Sequence, residues 1–180
     1  MIDWETIRPA FQELFAELAD LSQAEWRDKR RPFASPRDQA WVLLHVVNER
    51  SVGIDDRRYR DTGETIPDYP CRESANGNRV VRLEVRVESF RHDDDRFAYN
   101  AASKVRTRLG WQSSADTLRA LNVSVATKGE TVDVSNLIQD DRITSVALFD
   151  LLLNFGVSEE DAAHPVPAIE TVEDPVGTFN

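Results

Sequence analysis

Residues 79–109 read RVVRLEVRVESFRHDDDRFAYNAASKVRTRL, and the change of period half-way along them decides the fold. Val81, Leu83, Val85 and Val87 alternate with Arg82, Glu84, Arg86 and Glu88. A period of two marks a strand with one buried and one wet face. From Phe97 the period lengthens: Phe97, Ala101, Val105 and Leu109 fall on one helical stripe. Asp93, Asp94 and Asp95 stand at the junction, where carboxylate oxygens cap free amides and negative charge meets the positive end of the helix dipole. A strand with a charged face followed by a capped helix is a scaffold for building surfaces. It contains no catalytic set.

Upstream, residues 3–21 form an amphipathic helix. Asp3 is placed to cap it, Ile2 and Ile7 to staple it, and Trp4, Ile7, Phe11, Leu14, Phe15, Leu18 and Leu21 make its apolar stripe. Residues 39–48 (QAWVLLHVVN) are too apolar for a one-sided strand and read as one covered on both faces. Residues 51–78 carry Gly53, Gly63, Pro67, Pro70 and an Asn76-Gly77-Asn78 turn signal with little apolar content. They read as a long projecting arm between two paired strands.

Downstream, Ser114 is expected to cap a short helix ending near Asn122, and Lys128-Gly129 to turn a small hairpin between 123–125 and 131–134. Residues 142–155 read as a last strand with Ala147, Phe149, Leu151, Leu153 and Phe155 on one face. The expected division is one α+β domain over 1–155 and an acidic C-terminal tail over 156–180, with a short strand at 169–172.

The chain of 180 residues is long enough to bury about 70 % of its unfolded surface in one domain. Its 32 acidic and 22 basic residues give a net charge of −10, which argues against general nucleic-acid binding. Residues 156–180 hold six of the acids and no Lys or Arg, whereas Arg27, Lys29, Arg30, Arg31 and Arg37 cluster against Asp28 alone. Basic residues suit a helix end. Opposite-sign segments on one chain can also meet between copies of it, as in a head-to-tail ring. The single Cys71 leaves no intrachain disulfide and points to a reducing compartment. The amphipathic start is unlike a secretory signal, and no apolar run is long enough to span a membrane, so the expectation is a soluble cytosolic chain.

Sites for chemistry are not legible. His92 precedes three consecutive Asp, but a calcium loop alternates its ligands and needs a Gly at its turn, so capping explains them better. His45, His92 and His164 lack zinc spacing. There is no GxSxG elbow and no phosphate-cradling glycine loop. The Arg–Glu face of 79–90 reads as a solvated surface, with pairing across subunits as the sharper possibility.

Laid out as helix, strand, long loop, strand, helix, short helix, hairpin, strand and acidic tail, the chain resembles the neck and tail-terminator proteins of tailed bacteriophages. The pieces that carry the resemblance are RVVRLEVRVESF, AYNAASKVRTRL, VDVSNLIQDDRITSVALFDLLLNF and AIETVEDP, within Gln39 to Pro175. The resemblance implies an α+β fold: a mixed or antiparallel sheet with helices packed on one face and a long projecting loop between two strands. It implies a structural virion protein in the tail or neck, assembled in the host cytoplasm, that forms a hexameric ring at the head-proximal end of the tail. Such a ring ends the tail tube and docks the head connector. The implied partners are further copies of the chain, the tail tube protein and the connector or adaptor protein. Neither catalytic residues nor cofactors are implied, and no membrane. Six copies would carry about −60, six times −10, a lumen through which DNA passes without specific binding. Alternatives are a neck adaptor or stopper nearer the portal, or a cytosolic acidic module for a basic partner. The expected contact residues are Asp55, Arg57, Arg58 and Tyr59 in the arm, with Glu159, Glu160, Glu170 and Glu173 in the tail.

Overall fold

The computed structural model describes residues 2–27, 40–61, 71–90, 94–135 and 145–166, with strand pairing alone for 53–61, 71–76 and 158–166. Three helices lie against a six-stranded mixed sheet that does not close, an α+β fold. In chain order the elements are α1 (Trp4–Ala19), β1 (Ala24–Trp26), β2 (Ala40–Asp61), β3 (Cys71–Ser89), α2 (Phe97–Arg108), α3 (Gln112–Ala120), β4 (Val123–Lys128), β5 (Val132–Asp133) and β6 (Ser145–Val166). The sheet runs β1-β2-β3-β6-β4, and β5 also pairs with β6. Among the described strands only the β1–β2 pair is parallel.

The expected alternation sets the core. Val81, Leu83, Val85 and Val87 of β3 register against Leu153, Leu151, Phe149 and Ala147 of β6. All of them are buried in one cluster with Val42 and Leu44 of β2. The helices cover this face with Phe11, Phe15, Ala98, Ala101, Val105 and Leu118. On the other face Trp41, Leu43 and Phe90 form a second small cluster, with the Trp41 and Phe90 rings edge-to-face at 5.7 Å. The first residues of β2 are therefore covered on both sides, as their apolar run requires.

α1 begins where its cap predicts. The Asp3 carboxylate accepts from the amides of Glu5 and Thr6 and from the Thr6 hydroxyl. The Thr6 hydroxyl, then its amide, holds the Asp3 pKa below the usual carboxylate range. α1 packs on its own sheet: Phe155 of β6 lies 5.6 Å from Trp4 and 6.3 Å from Phe11, centroid to centroid. It ends on Asp20 in the left-handed region.

Several local expectations are corrected. α2 has Arg96 at its N-cap without a side-chain cap, and Asp94 instead accepts from the Arg96 amide in the turn before it. Ser114 does not cap α3. Trp111 occupies that position, and the buried Ser114 hydroxyl donates back to the Arg108 carbonyl at 2.8 Å. β4 and β5 do not form a hairpin: each pairs with β6, one after the other along the same edge. The Gly129 amide donates to the Asp150 carbonyl at 2.8 Å, and a Cβ at Gly129 would lie 3.1 Å from that oxygen. The chain thus hugs β6 between the two short strands. Finally, β6 does not stop at Phe155 but stays paired with β3 as far as Val166. The 169–172 strand and most of the 26–37 basic cluster lie outside the described residues.

Candidate assembly surface

β2, β3 and β6 run on together beyond the helix-covered core. The row Ser51–Arg79–Phe155 holds the fully buried Phe155, and the pairs continue to Asp61–Cys71 and Cys71–Val166. At about 3.3 Å per residue the extension is roughly 30 Å long. Its strands carry few large apolar residues, so the backbone ladder carries it. β2 is irregular between Val46 and Asn48 and between Val52 and Asp56, where an extra residue or more bends the strand and adds twist.

The ladder brings the two expected contact regions into one ribbon. Arg57 registers with Ala75, which registers with Glu159. Arg58, Ser74 and Glu160 form the next row, and Tyr59, Glu73 and Asp161 the one after. Asp55 falls in the register break before Asp56. Glu170 and Glu173 lie outside the described residues. Asp161 was missed by sequence reasoning because the strand was read as ending before it. The available signal was Val157 two residues beyond Phe155, continuing the period of two.

The outer edges of the ribbon are open among the described residues. β1 pairs with β2 only from Val42 to Leu44, and the Arg27 amide adds a last bond to the Leu44 carbonyl. On the other side β4 and β5 cover β6 from Ala147 to Phe155, and the Gly156 amide donates to the Asn122 carbonyl. Beyond these points no described strand pairs with either edge.

Two ion pairs on the core sheet form within the chain. Arg82 pairs with Asp150, whose hydrogen bond raises the arginine's pKa. Arg86 reaches Glu88 at 2.7 Å, and Glu88 is only 6 % exposed. The Arg–Glu face is therefore part ion-paired interior, not simply a wet surface. A second cluster joins α1 to α2. Asp20 takes Arg108 and Lys104, and these hydrogen bonds, that of Arg108 first, lower its pKa. Arg108 also stacks over the half-exposed Trp111 ring at 5.3 Å and donates to the Leu18 carbonyl. A groove of about 740 Å³ opens between them, lined by Asn100, Ser103 and Thr107 besides these charges. Both of its cations are ion-paired to the one Asp20 carboxylate. Among the described residues no three His, Cys, Asp or Glu side chains are grouped to hold a metal, and no helix is long and apolar enough to cross a membrane.

No family model and no curated protein matches the chain. Among solved structures it is similar to the sheath/tube terminator of an extracellular contractile injection system (PVC), determined by cryo-EM in the extended state. The identity is 11 % and the TM-score 0.40, over 96 % of this chain and 65 % of that one. The chain thus spans less than two thirds of that protein's length. At this level the likeness carries no argument about function.

Proposed function

We propose that the chain is a structural component of a tailed phage or phage-like particle. It forms a ring, of six copies by the family resemblance, at the head-proximal end of the tail. There it stops the tail tube and presents a face to the head connector. The observation that carries this reading is the ribbon: a core closed off by helices on one face, from which three strands continue as an extension whose two edges are open among the described residues. An open edge is normally blunted or covered, so one of this length is a device for contact with another chain. The order of elements that underlies the resemblance supports the same reading, since the α+β sheet with helices on one face is what it implies.

The test is light scattering with particle images on the purified chain, alone and with tail tubes from the same particle. Rings that cap tube ends are expected. A strict monomer that ignores tubes would refute the proposal, and a pull-down for a basic partner would follow.

A further inference from the structure

We infer that copies join head to tail through the ribbon edges, β6 of one copy pairing in parallel with β2 of the next, so that Glu159 and Glu160 stand beside Arg57 and Arg58. The inference rests on the ring reading and specifies its contact.

Three observations lead to it. First, both outer edges are unpaired among the described residues, over Gly53–Asp61 on one side and Val157–His164 on the other. Pro165 lacks an amide and closes the second stretch. The two stretches are of similar length, and both flank β3 over the same part of the ladder. β2 and β6 are each antiparallel to β3, hence parallel to one another. A rotation about an axis along the ribbon therefore sets them side by side in parallel.

Second, the charges differ. The β6 stretch carries Glu159, Glu160 and Asp161 and no Lys or Arg, whereas the β2 stretch mixes Arg57, Arg58 and Arg60 with Asp55, Asp56 and Asp61. In the shared rows Asp56 falls level with Ser158, and Arg57 and Arg58 fall level with Glu159 and Glu160. A two-fold contact between β6 edges would set acid against acid, which is unfavourable for charges directly opposite, and one between β2 edges would leave Glu159, Glu160 and Asp161 without a cation. A head-to-tail contact sets Arg against Glu.

Third, the rows agree. Cyclic symmetry adds no translation along its axis, so with strands close to that axis a row returns to its own level in the next copy. The row of Arg57 is that of Glu159, and the row of Arg58 is that of Glu160. Inside one copy these residues are separated by β3, at roughly 10 Å or two strand spacings, with uncharged Ala75 and Ser74 between them. Across the inferred contact they are roughly 5 Å apart in backbone position.

The experiment uses the full chain in two charge-reversed forms, Arg57→Glu with Arg58→Glu, and Glu159→Arg with Glu160→Arg. Each alone should associate at least about tenfold more weakly than the natural chain in sedimentation velocity. Mixed in equal amounts they should regain wild-type assembly, in rings of alternating copies, because each then meets an edge of opposite sign. Restoration on mixing also shows that both variants fold. Reversed chains that associate normally, or a mixture of melt-verified folded variants that stays dissociated, would overturn the inference. Amide exchange on the natural chain is independent of any substitution: the 157–164 amides should slow on assembly, and unprotected amides in the assembled particle would overturn it. Tubes capped by rings whose edges exchange freely would overturn this contact and keep the tail-end reading. Charge-rescued rings that ignore tubes would do the reverse.

Discussion

Phe155→Ala tests whether α1 belongs to its own sheet and whether the core ends where the ribbon begins. The side chain is 1 % exposed and sits against the Trp4 and Phe11 rings at 5.6 and 6.3 Å. Truncating a buried Phe costs about 3–5 kcal/mol, including the cavity left behind. Each ring contact adds about 0.5–1.5 kcal/mol beyond area, so a value of about 4 kcal/mol is expected. For a chain of this length that lowers Tm by about 8–16 °C. Phe155→Leu keeps most of the buried area and loses the ring contacts, so about 1–2 kcal/mol is expected. The assay is denaturant unfolding followed by Trp fluorescence, repeated at two protein concentrations well apart. Because α1 packs within the chain, the loss should not depend on concentration. A loss below about 1 kcal/mol, or one that appears only where the chain self-associates, would refute this packing.

Three further outcomes follow from the geometry. Gly129→Ala sets a Cβ 3.1 Å from the Asp150 carbonyl oxygen and 3.3 Å from its amide nitrogen. It should cost about 1 kcal/mol and speed exchange of the Gly129 amide, with an unchanged exchange rate counting against the contact. Arg86→Met leaves the Glu88 carboxylate buried without its cation. A loss of about 2 kcal/mol is expected in urea melts, below the range for fully buried pairs because the Arg86 side chain is 20 % exposed. Equal stability would show that Glu88 is solvated. Asp20 has a folded pKa depressed below its ordinary value of 3.8. Its contribution is therefore complete above that value and is lost as pH falls through the folded pKa. The Tm gap between the natural chain and Asp20→Asn should be constant at neutral pH and shrink in acid. A gap that widens in acid would reverse the sign of the coupling.

The elements with a clear period were legible. α1, the core half of β3, the core half of β6 and the stripe of α2 each declare themselves through the spacing of Phe, Leu and Val, because burial selects those positions. What escaped was determined by pairing rather than period. Nothing in Val123–Val134 distinguishes a hairpin from two strands laid along one neighbour. That choice is made by β6, whose Asp150 carbonyl takes the Gly129 amide. Ser114 and the Asp93–Asp95 run are both good cap residues, yet the backbone starts its helices at Gln112 and Phe97. The ribbon escaped for a similar reason. Its residues are mostly polar and read as loop and tail, since a stretch with few apolar residues leaves only a weak alternation in the sequence. Apart from Tyr59, the candidate contact residues stand out in the sequence by charge. That Arg57 and Glu159 share a row needed the register of β3 between them.

That polar character bears on how such a ribbon can be used. A strand extension with few large apolar residues in its sequence gains less from burial than a core strand does, and a partner on either edge adds ladder hydrogen bonds that stabilise it. Apolar residues at these positions would also order it, but they would make each free copy an aggregation site. Charges at these edges avoid this. Between two β6 edges Glu159, Glu160 and Asp161 repel, which disfavours that two-fold dimer. Between unlike edges they attract, and screening by salt keeps that attraction modest for one contact. In a closed ring every copy makes two such contacts, and the last one closes without a further loss of free copies. A contact too weak to hold a dimer can therefore hold a ring. The expected behaviour is a sharp passage from free copies to closed rings, with open intermediates scarce at every concentration.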